Sequence, residues 1–477
     1  MKLMKKTAAV LIAVLIVFSS LNFAVLAETG WDGVSEDPCT EGRGDPDNPY
    51  LISTPEQLAW FRTQVNTVDQ YLCAKLTADI DLNNQEWIPI GKPASATAPT
   101  SLVKDGQIAY RGTFDGDYHT VKGFKIDRAT DSNTYRYFGF FGAATSKGED
   151  DNDAVIKNLT VKGYITIDAS AKAGAYFGGI CGAGGYLTVI NCTSDVDILV
   201  TGKPGAGAGG IVGFGISTLT IEKCINLGNI QASATSVGGI IGQGGNTNSI
   251  INLCCNLGDV NGDSKVGGLV GVTSGKVTNC YNTGNISANK EDKNTAGSGG
   301  LIGGNSGSNS LTVSNCFNTG SFSSNYENYT GGIYGRMSGG NTTVIKFENV
   351  YYLEGICPRT QGILGRYSGG EYDLNQKTAV EIASTDFVDL LNLNAGSTVF
   401  KKGSTHPIFV WQKEESAPVG TKGDIDGNGT VNATDVSELI SRIANDNVPD
   451  NAVADMNSDG TVNATDVSEL ISVIAAE

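Results

Sequence analysis

The residues whose order most clearly demands chemistry lie near the C-terminus. Asp424, Asp426, Asn428, Thr430, Asn432 and Asp435 occupy positions one, three, five, seven, nine and twelve of one stretch, with Gly429 at the sixth. That is the order of a calcium loop: hard oxygen donors wrap one ion, and the glycine permits the sharp turn. A second copy starts 31 residues later, with Asp455, Asn457, Asp459, Thr461, Asn463 and Asp466 around Gly460. Two loops in tandem call for two Ca2+. Asp259-Val260-Asn261-Gly262-Asp263 imitates the opening of such a loop, but Val270 stands where a carboxylate must close it. A backbone corner is expected there instead.

Other chemistries find fewer residues. The chain has two histidines, His119 and His406, too few in this spacing for a His-Glu-x-x-His zinc site. Glycoside hydrolysis needs two carboxylates facing each other across a cleft. The close pairs Asp79 with Asp81, Asp115 with Asp117, and Asp195 with Asp197 instead sit at i, i+2 on strand-like segments, where a solvated face is expected. A polysaccharide lyase would need clustered basic groups, and Lys223, Lys276 and Arg336 are scattered. The net charge of -17 argues against nucleic acid and anionic lipid as partners.

The elements that must hold the calcium loops are legible in the apolar periodicity. Val436, Leu439, Ile440 and Ile443 follow the first loop at helical spacing, and Val467, Leu470, Ile471 and Ile474 follow the second. No helix is expected before the first loop, where Pro418 and Gly420 stand. A helix on one side only, with Asp rather than Glu closing each loop, departs from a paired EF-hand. The segment resembles the type I dockerin. That resemblance implies a cohesin module as partner, on a scaffold or cell-surface protein. It also places Ala433 with Thr434, and Ala464 with Thr465, at the partner-choosing positions of two nearly equivalent faces. Residues 430–441 and 461–472 are the same string.

The middle of the chain repeats. Gly-Gly, Ile or Leu, any residue and Gly recur at Gly178–Gly182, Gly209–Gly213, Gly238–Gly242, Gly267–Gly271, Gly299–Gly303 and Gly331–Gly335. Successive final glycines stand 31, 29, 29, 32 and 32 residues apart. Such a period marks stacked units that cannot bury their apolar faces alone. In one unit the runs Val266–Val272, Lys276–Tyr281 and Asn285–Ser287 are separated by Gly275 and Gly284, read as positive-φ corners. The expected fold is mainly β: a right-handed parallel β-solenoid with an N-terminal cap, plus the small α-helical calcium module. Asn226, Asn256, Asn282 and Asn318 recur two residues after a repeated Cys and should hydrogen-bond from coil to coil.

These repeats resemble the GLUG family of bacterial surface and secreted proteins. The likeness extends to Pro49–Ile52, Pro55–Phe61, Trp87–Gly91, Gly112–Gly116 and His406–Trp411, and implies a capped solenoid without implying an activity. Cys192, Cys224, Cys254, Cys280 and Cys316 recur once per repeat and read as buried apolar residues, whereas Cys39 and Cys73 are the disulfide candidates. Tyr281, Phe317 and Tyr351 follow the Cys position in three successive units and could form an outward ring stripe, meeting a sugar or a protein, unless residues 356–411 cover it.

Lys2, Lys5 and Lys6 followed by an apolar run to Val17 read as a signal peptide ending near Ala27. No later stretch approaches the ~20 apolar residues of a membrane span. The expected order is a signal peptide (1–27), cap and leading strands (28–136), repeats (137–355), closing segment (356–412), linker (413–422) and dockerin (423–477). The expected function is that of an exported, scaffold-attached protein with an adhesive or carbohydrate-binding, non-catalytic solenoid. Its ligand would be a polysaccharide or a host or cell-surface molecule. A scaffold-borne polysaccharide lyase or glycosidase is the rival, and a structural spacer the third reading.

Overall fold

The structure is a computed structural model. It describes residues 30–91, 108–128, 137–146, 154–169, 174–289, 297–305, 310–322, 330–336, 344–357, 363–364, 372–412, 422–423, 425, 431, 433–444, 451–457 and 461–474. The expected signal peptide lies outside these, as does the expected linker except for Lys422. Two compact units divide at Glu381/Ile382.

The first unit is a parallel β-solenoid. Apart from the hairpin Phe400–Lys402 with Pro407–Phe409 in the second unit, every strand pair among the described residues is parallel. The first glycine of each motif stands opposite the next: Gly178, Gly209, Gly238, Gly267, Gly299 and Gly331 form one column. The segments after the motif's bend form an eight-stranded sheet, from Phe141–Thr145 to Ile363–Leu364. The expected three runs per coil are finer in detail. Val266–Val272 bends at Gly268-Leu269 into Lys265–Gly267 and Val270–Thr273, and Lys276–Tyr281 breaks at Asn279, whose φ is 52°.

That last break falls inside a run expected to be a single strand, between the expected corners Gly275 and Gly284. Asn158, Asn191, Asn279, Asn315 and Asn349 turn the same corner in successive coils with φ of 52–54°, and Lys223 and Leu253 take it in the two coils between. Asn suits this left-handed conformation because its short amide can bond locally. Here the amides also bond between coils: Asn191 Nδ2 donates to Asn158 Oδ1 at 3.0 Å and Asn315 Nδ2 to Asn279 Oδ1 at 2.7 Å. Gly275 does have positive φ, at 95°, but Gly284 does not. A Cβ at Gly284 would collide with the Gly258 carbonyl oxygen of the preceding coil. Close approach of coils, rather than handedness, demands glycine there.

Inside the coils the motif's Ile or Leu forms a fully buried column, Ile180, Ile211, Ile240, Leu269, Leu301 and Ile333. Cys192, Cys224, Cys254, Cys280 and Cys316 form another, as expected of small apolar residues. Burial pushes the Cys192, Cys224, Cys254 and Cys280 thiols well above their ordinary range. Cys39 and Cys73 form no disulfide. Cys39 Sγ turns to Gln57 O, and Cys73 Sγ accepts from Thr113 N at 3.3 Å, so each thiol is occupied within its own packing.

An N-terminal cap closes the column. Thr54 Oγ1 accepts from Gln57 N, Pro55 opens the helix Pro55–Thr67, and Leu58, Ala59, Phe61 and Val65 bury against the first coil's core. Tyr50–Ile52 pairs with Ala74–Leu76, which pairs with Thr113–Asp115. Capping is what a repeat array needs, because its end would otherwise expose core. At the far end Tyr372–Lys377 adds in parallel to Ile345–Leu353.

Candidate functional site

In the second unit, two helices, Ala433–Ala444 and Ala464–Ile474, carry the duplicated string. They share a small core of Ile425, Leu439, Ala454, Met456 and Leu470. The repeat equivalents Leu439 and Leu470 are fully buried, but Ile440 and Ile471 are each 50% exposed. The expected apolar stripe is thus narrower than the periodicity implied. Helical spacing cannot tell a buried edge from an exposed one.

Each helix begins with a carboxylate that closes a loop. Asp435 and Asp466 are wholly buried and lie in the first helical turn, where the helix dipole favours negative charge. Asp435 Oδ1 accepts from Ile425 N at 2.8 Å. Asp466 accepts from Asn457 N at 3.2 Å and from Asn463 N at 2.8 Å. Asp455, at the first position of the second loop, is also buried. Asn463 caps its helix: its Oδ1 accepts from the Thr465 amide at 2.8 Å and the Thr465 hydroxyl at 2.9 Å. Asn457 Nδ2 donates to Thr465 Oγ1 at 3.0 Å, and Thr461 bonds with the Asn463 amide. Asp424, Asp426, Asn428, Thr430, Asn432 and Asp459 lie outside the described residues.

This donor set fits a hard cation. Asp455 and Asp466 come from opposite ends of one loop, both withdrawn from water, and the side chains that accompany them offer oxygens. Burying carboxylates costs several kcal/mol unless a cation offsets the lost hydration. Ca2+, with its appetite for six to eight oxygens and flexible geometry, suits such a loop. Asp455, Asn457, Thr461 and Asp466 would hold it, with Asn463 bracing the helix start. Beside this loop, Ala464 and Thr465 are exposed. The side chains of Ala433 and Thr434 lie outside the described ones.

The solenoid treats the other candidates differently. Tyr281, Phe317 and Tyr351 do stand in register, and the first two rings stack at 4.9 Å. All three are nonetheless buried, Tyr281 and Phe317 completely. The stripe is therefore buried packing, not an open ligand face.

The carboxylate pairs are rungs between coils. Asp115 pairs with Lys157 at 3.2 Å and accepts from Asn158 Nδ2 at 2.9 Å, while Asp117 pairs with Lys75 at 3.0 Å. Asp81 pairs with Lys122, Asp195 with Lys162, and Asp79 accepts from Thr120 N beside His119. Asp197 accepts from Asn229 N at 2.8 Å. The same exposed ladder explains the false calcium loop: Asp259 N donates to Asn229 Oδ1 at 2.9 Å, and Asp259 Oδ1 accepts from Asn285 N at 2.8 Å. Val260–Gly262 is simply a strand.

These features define a class first: a parallel β-solenoid joined to a small helical module whose helices start on buried acids. Comparison with known proteins sharpens the second part. Residues 422–475 match the dockerin type I domain. The C-terminal module is a type I dockerin, a kind of domain that binds calcium and pairs with cohesins. Over 142 residues the chain is 31% identical to a protein of Evansella cellulosilytica provisionally described as a Gly-rich membrane protein, covering 29% of this chain and 14% of that one. Halomucin of Haloquadratum walsbyi is 28% identical over 178 residues, covering 36% of this chain and 2% of halomucin. The chain thus spans a small fraction of both relatives. A crystal structure from Bacteroides ovatus, provisionally described as an immunoglobulin A1 protease, is 22% identical, covers 78% of this chain and 95% of its own, and superposes with a TM-score of 0.48.

Proposed function

We propose that this chain is an exported component that docks onto a cohesin through a dockerin holding two Ca2+, and that its solenoid is a non-catalytic adhesive or carbohydrate-binding body of the GLUG type. One observation carries the docking half: the duplicated string ends two loops on equivalent buried carboxylates, Asp435 and Asp466. Each loop then takes one ion, and each helix start, Ala433-Thr434 or Ala464-Thr465, offers a face to the partner. The non-catalytic half draws support from the carboxylates. The six candidates are engaged in cross-coil ion pairs or hydrogen bonds, so each already has a structural duty.

The test is a panel of type I cohesins offered to the full chain with calcium or with chelator, alongside a count of bound ions. Two calcium ions per chain and calcium-dependent capture are expected. Failure to bind any cohesin in calcium would remove the docking reading. Robust release of reducing ends or unsaturated uronides from plant polysaccharides, abolished by one Asp, Glu, Lys or Arg substitution, would remove the non-catalytic one.

A further inference from the structure

Three segments of the cap enclose a polar cavity. Leu51 N donates to Glu41 O at 3.1 Å, which lays the entry segment along the strand Tyr50–Ile52. That strand turns into the helix Pro55–Thr67, and Thr77 N of the next coil donates to Ile52 O at 2.8 Å. Between them lies a cavity of about 220 Å³, lined by Thr40, Glu41, Leu51, Ser53, Gln57 and Thr77. Thr40, Glu41, Ser53 and Thr77 are exposed and Leu51 and Gln57 half-buried, so the lining is open to solvent.

The fold uses only part of what this lining offers. Ser53 N and Ser53 Oγ both donate to Gln57 Oε1, at 2.8 and 3.2 Å, which fixes the amide and leaves its Nε2 donor without a partner among the described residues. Thr77 Oγ1 donates to Ile52 O at 3.3 Å and keeps its own capacity to accept. Among the described residues nothing pairs with or donates to the Glu41 carboxylate.

A charged ligand would suit half of this set. A cation would meet Glu41 but set its donors against Gln57 Nε2. An anion would meet Gln57 but be repelled by Glu41, and by a chain whose net charge is -17. A hydroxyl can donate to the carboxylate and accept from the amide, so a ring with adjacent hydroxyls answers both. The cavity has room for one such ring, with Leu51 as the apolar member of its wall.

We propose that this cavity is a subsite for one neutral sugar ring. Glu41 accepts from its hydroxyls, Gln57 Nε2 donates to one of them, and the Thr40, Ser53 and Thr77 hydroxyls complete the polar wall. This rests on the carbohydrate-binding reading of the solenoid and gives it a ligand class and a place, at the cap rather than along the repeats.

Calorimetry on the full chain in calcium, titrated with cellotriose, xylotriose and trigalacturonate at matched ionic strength, tests it. At least one neutral sugar should bind, and more tightly than trigalacturonate. Glu41→Ala should weaken it about tenfold or more, the scale of a lost charge-assisted hydrogen bond. Because the fold makes no use of the Glu41 carboxylate, this variant should melt like the parent chain. Gln57→Glu keeps an acceptor for Ser53 but removes the donor, and should weaken the neutral sugar in the same direction. Neutral-sugar binding unchanged in Glu41→Ala overturns the subsite and leaves the broader carbohydrate reading standing. Trigalacturonate binding tighter than either neutral sugar overturns the neutral assignment, and heat from none of the three overturns the site together with the reading on which it rests.

Discussion

Both regions of this molecule are built by repetition, yet each repeat is completed by a different thing. In the solenoid a coil is completed by the next coil. Asn226 Nδ2 donates to Asn256 Oδ1, Asn256 to Asn282, and Asn282 to Asn318, each at 2.7 Å, while the first three amides also donate to the glycine carbonyl two residues on. In the dockerin each copy ends on a buried acid, Asp435 or Asp466, in a kind of domain that binds calcium. Neighbours satisfy the first kind of repeat; an ion must satisfy the second. Repetition therefore gives the array length without dependence on solution conditions, and gives the small module a switch.

Chelation breaks this comparison most severely. Residues 423–477 contain no cysteine and form a module below the ~70 residues at which a core alone usually suffices. Removing calcium should abolish the helical circular dichroism of the module and cohesin binding together, while the solenoid's thermal transition stays where it was. Helices that persist in chelator would mean that the module stands on its core after all.

Next in size is a glycine of the array. A Cβ at Gly268 would collide with the Asn282 side-chain amide and the Gly300 carbonyl, and one at Gly300 with Asn318 and the Gly332 carbonyl. Gly268→Val or Gly300→Val should each cost about 3 kcal/mol or more, read as a lowered unfolding midpoint. The second Gly of the motif is thus reserved for an amide sixteen or so places on in the same coil. Unchanged midpoints would remove that pairing.

The ladder itself can be shortened or lengthened. Asn256→Leu strands the Asn226 amide and the Gly258 carbonyl it served, at a cost of about 2 kcal/mol. At the other end Ser194 stands opposite Asn226 but is too short, and Ser194 Oγ and Asn226 Oδ1 are both buried without partners. Ser194→Asn should add a rung and about 1 kcal/mol of stability. A destabilised Ser194→Asn chain would mean that the gap is already filled by something other than an amide.

How much of this was legible in the sequence follows from what each signal encodes. The motif's period and the Cys-x-Asn spacing were enough for the solenoid and its amide ladder, because both are local rules repeated. Asn191 and Asn315 were also in plain view, but a left-handed Asn looks like any surface Asn until its corner is built. Tyr281 and Phe317 stand in register as the repeat predicted, but their burial could be read only from the fold. The same holds for Cys39 and Cys73: two cysteines outside a repeat invite pairing, and only the fold gives each its own surroundings. In the dockerin the spacing of the loops was enough to point to the family that residues 422–475 match, whereas Ile440 and Ile471 needed the helices to be placed before their exposure was apparent.

The smallest expected effect is the most discriminating about the dockerin's duplication. Because residues 430–441 and 461–472 are identical, either helix start should serve a cohesin alone. Replacing Ala433-Thr434 alone, or Ala464-Thr465 alone, with bulky charged residues should leave cohesin affinity nearly unchanged, and replacing both pairs should eliminate it. The second pair needs a control. The Thr465 hydroxyl bonds to Asn463 and Asn457 within the second loop, so its loss could loosen that loop as well as the face. The Thr465 amide that Asn463 caps remains in any substitution, so calcium-dependent helicity should persist. Measured together, binding and helicity separate the outcomes. If one single replacement abolishes binding while calcium still folds the helices, the two copies are unequal partners. The duplication would then serve the fold of the module, completing one cation loop against the other, and not the choice of two docking orientations.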